Sequence, residues 1–146
     1  MAELKFDISA VSETPARTRV KARDFDIIVD EPPGLGGTDQ AANPVEYVMA
    51  ALAGCLNVMG HLIADEMNFA LRGIEIEISG TLNPARLFGK SEADRAGYKH
   101  MTVTLKPDCD ADEDTLEKWL QAVQDRCPVC DNLKYETPVD VGVERV

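Results

Sequence analysis

The chain has 146 residues, 45% of them apolar, enough for one domain with a sizeable core. Its 26 acidic and 15 basic side chains leave a net charge of −11, which argues against nucleic acid and anionic membrane surfaces as partners. The start, MAELKFDISA, is charged where a secretory leader would be apolar, so the expected location is the cytoplasm, where thiols stay reduced unless they do chemistry.

In chain order, Leu4, Phe6 and Ile8 alternate with Lys5, Asp7 and Ser9 and predict a half-buried strand. After a turn around Pro15, residues 18–22 and 25–29 read as two more short strands, giving an antiparallel trio. DEPPGLGGTDQAA, residues 30–42, holds two prolines and three glycines and is expected to be a loop. It lacks any GxxxxGK[ST] or GxGxxG pattern for phosphate. Asn43 and Pro44 then suit the first turn of a helix reaching Asn68. From Tyr47 to Leu56 all ten residues are apolar or glycine. This predicts a core helix buried nearly all round, with Cys55 near its middle. The apolar run is too short to span a bilayer, and Glu46, Asn57, His61 and Asp65 interrupt its surroundings.

Ile74, Ile76 and Ile78 against Glu75 and Glu77 form the clearest strand pattern. Residues 83–97 read as an exposed connection to a strand from Tyr98 to Lys106, with Met101, Val103 and Leu105 facing inward. Asp110 or Asp112 caps a second, amphipathic helix carrying Leu116, Trp119, Leu120 and Val123. RCPVCDNL breaks that pattern, and Val139, Val141 and Val143 predict a last strand. The order implies a single α+β domain over 1–146. Six modest strands and one amphipathic helix cannot cover so apolar a central helix, so an oligomer is expected, with partner helices shielding each other.

Alone, Cys55 reads as a small buried hydrophobe. Cys127 is placed differently, since it follows a helix, precedes Pro128 and opens a short helix through Asp131 to Leu133. A thiol there faces the positive end of a helix dipole, which favours the thiolate. Cys127-Pro128-Val129-Cys130 is also a CxxC, although no βαβ unit surrounds it as in thioredoxin-like proteins. Zinc needs about four ligands, and there is no second CxxC or HxxxH. No metal and no cofactor are expected.

Asn43-Pro44-Val45-Glu46, Leu52-Ala53-Gly54-Cys55 and Cys127-Pro128-Val129 together resemble the OsmC/Ohr family, the osmotically inducible and organic hydroperoxide resistance proteins. Asp30-Glu31-Pro32-Pro33, Leu35-Gly36-Gly37, Arg72-Gly73-Ile74 and Asn132-Leu133 extend the likeness over most of the chain, closest to the general OsmC-like branch. The resemblance implies an intertwined homodimer, with a long buried central helix packed against antiparallel sheets and thiol sites at the subunit interface. It implies that Cys55 attacks an organic hydroperoxide and becomes a sulfenic acid. Cys127 then resolves it as a disulfide, which a dithiol reductant reopens.

In the peroxidases an arginine holds the thiolate and a glutamate ten residues before the cysteine holds the arginine. That position is Val45 here. Glu46 is adjacent, about half a turn away from Cys55, and reads within one subunit as a first-turn acid; it is carried as a candidate for a partner chain's site. Arg17 and Arg19 are both candidates for the arginine, with Arg19 favoured. Cys130 stands where relatives commonly carry serine. Cys109 and His61 read as bystanders, His100 as a sheet-surface residue, and Asp65 and Glu66 as solvated. The alternative to a peroxidase is an OsmC-like protein that binds a small molecule or senses redox state; a third reading is a CxxC oxidoreductase using Cys127 and Cys130.

Overall fold

The computed structural model describes residues 1–145, which form two compact units, one ending at Ala50 and the other beginning at Ala51. Helices combine with two small antiparallel sheets, so the architecture is α+β.

In the first unit, β1 (Ser9–Ser12), β2 (Thr18–Ala22) and β3 (Phe25–Val29) form an antiparallel meander in sequence order. Ala10 pairs with Val20, and Val20 with Ile27. Arg23 turns the second hairpin at φ 55. The expected strand at Leu4, Phe6 and Ile8 does not form, and all three side chains are exposed. The register explains this. Ser9 already pairs with Lys21, one residue before the end of β2, so among the described residues no strand is left to pair with residues 1–8.

The loop over 30–42 is more organised than its composition suggests. Asp30 is fully buried, and its carboxylate accepts from the Thr38 hydroxyl at 2.7 Å and from the amides of Glu31, Thr38 and Gln40 at 2.9, 3.2 and 3.1 Å. Those bonds, the Thr38 hydroxyl first, hold the carboxyl down at about 2 although burial opposes them. The loop doubles back so tightly that a Cβ on Gly37 would fall 1.8 Å from the Glu31 carbonyl oxygen, and only glycine fits.

The central helix, α1, spans Pro44–Glu66. At its start Asn43 Oδ1 accepts the Glu46 amide at 2.9 Å while the Glu46 carboxylate accepts the Asn43 amide at 2.8 Å, a reciprocal capping box. At its end Asn68 adopts φ 58, the Phe69 amide reaches the Ala64 carbonyl, and the Asn68 amide reaches that of Asp65, closing a Schellman motif. By length and composition α1 is apolar enough to cross a bilayer, with a mean hydropathy of 1.6 over its most apolar window, a property shared by core helices of globular proteins. The ten-residue run alone is not.

The second unit holds the rest of α1 with β4 (Leu71–Thr81), β5 (His100–Cys109), α2 (Glu113–Arg126) and α3 (Pro128–Lys134). β4 and β5 form an antiparallel ribbon pairing Ile76 with Leu105 and Ile78 with Val103. The isoleucines turn inward and Glu75 and Glu77 outward, as their alternation predicts; Val103, expected inward, stays partly open. Asp112 caps α2 by accepting the Thr115 amide, while Asp110 is occupied by Arg72. The core joins Leu52, Leu56, Ile63 and Ala64 of α1 to Trp119 and Val123 of α2 and to Cys127 and Cys130. Its tightest point is Gly60, where a Cβ would lie 2.5 Å from Ile74 Cδ1 and 3.1 Å from the Trp119 ring. The indole Nε1–H donates to the Gly60 carbonyl at 2.8 Å, so the helix supplies both the space and the acceptor the tryptophan needs.

Along α1 the chain's own elements bury one stripe, Leu52, Leu56, Gly60, Ile63 and Ala64, and leave Val58 and Leu62 exposed, in keeping with the expectation that they cannot cover so apolar a helix. The second unit is too small to enclose an apolar cylinder. The expected strand at Val139, Val141 and Val143 does not form, and the three are exposed, because no strand among the described residues pairs with them.

Candidate functional site

The thiols come together where three helices meet. Cys55 lies on α1 between the buried Leu52 and Leu56 and keeps partial exposure. Cys127 is the hinge between α2 and α3, ending one helix and capping the next, and it is fully buried. Pro128 takes the first position of α3, where a missing N–H costs nothing. The Cys130 amide donates to Cys127 Sγ at 3.4 Å. All four cysteines are free thiols, and Cys109 ends β5 opposite Leu71.

Cys55 packs against the core cluster that holds Cys127, and both Cys127 and the backbone N–H of Val129 act on its thiol. Burial pushes the Cys55 thiol up, the Val129 N–H pulls it back, and Cys127 adds to the rise. Burial, followed by the neighbouring Cys127 thiol, pushes Cys130 up to about 11, with Lys134 offsetting part. The site is thus a shielded cluster of three thiols, with Cys127 acting on both of the others. A pair of thiols in mutual reach, one of them accessible, can be oxidised to a disulfide.

The segment bearing Cys127 is tied down by its neighbour. Arg126 forms a two-pronged ion pair with Glu66, one prong at 2.9 Å, clamping the end of α2 to the end of α1. The Arg126 guanidinium holds the Glu66 carboxyl below its ordinary value. Glu66, expected to be solvated, is therefore a partner in a clamp. A carboxylate closing one helix and an arginine closing another is a visible signal only once the pairing of the helices is known.

Arg19 and Glu46 lie in the first unit. The Arg19 Nε meets Glu13 Oε1 at 2.7 Å, and Arg17 approaches the other oxygen of the same carboxylate at 2.9 Å, an ion pair without hydrogen-bond alignment. Arg17 also donates to Gln40 Oε1 at 2.7 Å and is the more enclosed of the two, 26% exposed against 44%. Glu13, missed in the sequence, is thus the carboxylate that holds both candidate arginines. Glu46 is engaged in the capping box at the start of α1. Among the described residues no group of three or more His, Cys, Asp or Glu is placed to hold a metal ion.

The sequence profile of the OsmC-like protein family matches residues 37–142. No curated protein sequence matches the chain. Among solved structures, an OsmC-like protein from Mycoplasma pneumoniae superposes with a TM-score of 0.79 at 18% identity, covering 91% of this chain and 89% of that one. An organic hydroperoxide resistance protein OsmC from Legionella pneumophila gives 0.65 at 18% identity over 92% of both chains. An organic hydroperoxide resistance protein from Vibrio cholerae, with captopril in one of its active sites, gives 0.65 at 16% identity over 92% and 88%. With the profile spanning most of the chain and both thiol motifs inside it, the protein belongs to the OsmC-like family.

Proposed function

We propose that this protein is a thiol-dependent peroxidase that reduces organic hydroperoxides through Cys55 and Cys127. The observation that carries the reading is the packing of both thiols in one apolar cluster, with the Val129 N–H acting on Cys55. The Cys55 thiolate attacks the outer peroxide oxygen, the O–O bond breaks, and an alcohol leaves once protonated. The resulting sulfenic acid is attacked by the Cys127 thiolate, which expels the hydroxyl as water and leaves a disulfide. A dithiol reductant returns both thiols by two exchanges. An apolar surround favours an organic peroxide over hydrogen peroxide. By the family resemblance Arg19 is assigned as the cation steadying the thiolate and Glu46 as an acid of the site; Arg17→Ala beside Arg19→Ala tests which arginine matters. The reading fits a cytoplasmic protein whose thiols are reduced between turnovers.

The test is hydroperoxide consumption with a dithiol reductant. Cys55→Ser is expected to lower the rate by about a hundredfold or more, and a variant as active as the wild type overturns the assignment.

The assembly proposed is an intertwined homodimer. The open stripe of α1 runs Ala51, Gly54, Val58 and Leu62, small residues giving way to larger apolar ones, as in a helix seated against another. The unpaired alternations at Leu4–Ile8 and Val139–Val143 supply strands for a second copy. Light scattering is expected to give twice the chain mass, and Val58→Glu to release monomer.

One observation favours a second reading. The groups acting on the Cys55 sulfur in its own unit are a thiol and an amide, neither of them a cation, and its thiol is raised. A protein of this kind binds a small molecule or senses oxidants without fast turnover. Stoichiometric bridging of Cys55 to Cys127 with no sustained peroxide consumption distinguishes it.

A further inference from the structure

We propose that Cys130 is a third redox thiol of this site and the final holder of its disulfide. Cys130, as its thiolate, attacks the Cys127 sulfur of a Cys55–Cys127 bridge. The Cys127–Cys130 bond forms, the Cys55–Cys127 bond breaks, and Cys55 leaves as a thiolate. The step is redox-neutral, since the hydroperoxide has already taken the two electrons, and the proton given up by Cys130 matches the one Cys55 can take. The origin of the first bridge rests on the peroxidase reading.

The geometry carries the proposal. Cys55, Cys127 and Cys130 pack in one core cluster, and Cys127 acts on the thiols of both others. Cys127 caps α3 and Cys130 lies in its first turn, with the Cys130 amide 3.4 Å from Cys127 Sγ. Cys127 itself is extended, at φ −79 and ψ 111, and its sulfur turns back onto the Cys130 amide, so both side chains sit at the first turn of α3, where a small adjustment brings their Cβ atoms to the roughly 3.5–4.5 Å of a disulfide. Cys130 is only 9% exposed, so a peroxide reaches Cys55 in preference to it.

Burial first, and the Cys127 neighbour after it, keep Cys130 protonated in the reduced protein. The third thiol is thereby held in reserve beside the bridge it attacks. It then leaves the disulfide within one short helix and returns Cys55 to its reduced state.

The experiment oxidises the full-length protein with one equivalent of cumene hydroperoxide and, separately, with diamide, which bridges thiols without any peroxidase chemistry. Samples are trapped by alkylation over time and their disulfides mapped by mass spectrometry. The expected result is an early Cys55–Cys127 bridge under peroxide that gives way to Cys127–Cys130 with Cys55 alkylated, and the same end state under diamide. Cys130→Ser and Cys130→Ala, each checked for an unchanged Tm, are expected to stop at Cys55–Cys127. A wild-type bridge that stays at Cys55–Cys127 under both oxidants, with Cys130 alkylated, overturns the proposal. No bridge under peroxide but Cys127–Cys130 under diamide supports the role of Cys130 and overturns the peroxidase reading instead.

Discussion

Two buried ionisable sites in this protein take opposite courses. Asp30, at the root of the loop over 30–42, is fully enclosed, yet its carboxyl is held down at about 2. Cys130 is enclosed almost as well, and its thiol is driven up to about 11. Burial opposes charge at both. The difference is the number of donors, since Asp30 accepts four hydrogen bonds and Cys130 has a thiol for a neighbour. Charge is thus settled where it holds a loop and withheld where a reaction needs a thiol in reserve.

The comparison can be broken most strongly at Asp30. Asp30→Ala strands the Thr38 hydroxyl and three amides in a buried loop, and the Tm measured by calorimetry is expected to fall on the order of 5–10 °C. An unchanged Tm would mean the loop rearranges without cost and the carboxylate is not what organises it. At the thiol cluster, Cys127→Ala removes a neighbour that raises Cys55. Alkylation of Cys55 at pH 7.5 is expected to quicken, and an unchanged or slower rate would show that Cys127 does not oppose the thiolate.

The pH dependence sharpens the contrast from both ends. The folded value of Asp30, about 2, lies below its ordinary 3.8, so its stabilisation is complete above 3.8 and is lost as pH falls toward 2. The folded value of Cys130, about 11, lies above its ordinary 9.0, so its contribution is complete below 9.0 and is lost as pH rises toward 11. Urea midpoints of the reduced protein should fall in both windows, the acid fall flattened by Asp30→Asn and the alkaline one by Cys130→Ala. The smallest effect is expected at the half-exposed clamp, where Glu66→Gln shifts Tm by about 2 °C or less and the difference shrinks in high salt.

The sequence revealed what depends on local spacing. The helix start at Asn43, the isoleucine face of β4 and the helix opened by Cys127 all follow from neighbours within four residues, while the reciprocal bond from Glu46 back to Asn43 was not read. Asp30 escaped because its donors lie up to ten residues away in a stretch whose prolines and glycines said only that it was irregular. Glu66 escaped because Arg126 is sixty residues distant. The alternations at Leu4–Ile8 and Val139–Val143 were legible as pattern, but a period of two names a face and not a partner. CPVC was legible as chemistry, while its gathering with Cys55 in one cluster needed the packing of the core.

The β4–β5 ribbon has a consequence for the life of the chain before it is assembled. A sheet of two long strands has two unsatisfied margins, each a row of amides and carbonyls open to any passing strand. A newly made chain therefore carries an adhesive element, and the triplet of isoleucines in β4 would reward mispairing. Glu75 and Glu77 on the outer face, bracing Lys106 between them, and a chain-wide charge of −11 keep neighbouring nascent chains apart. The acidity that identified no partner at the outset acts here as protection against the wrong one.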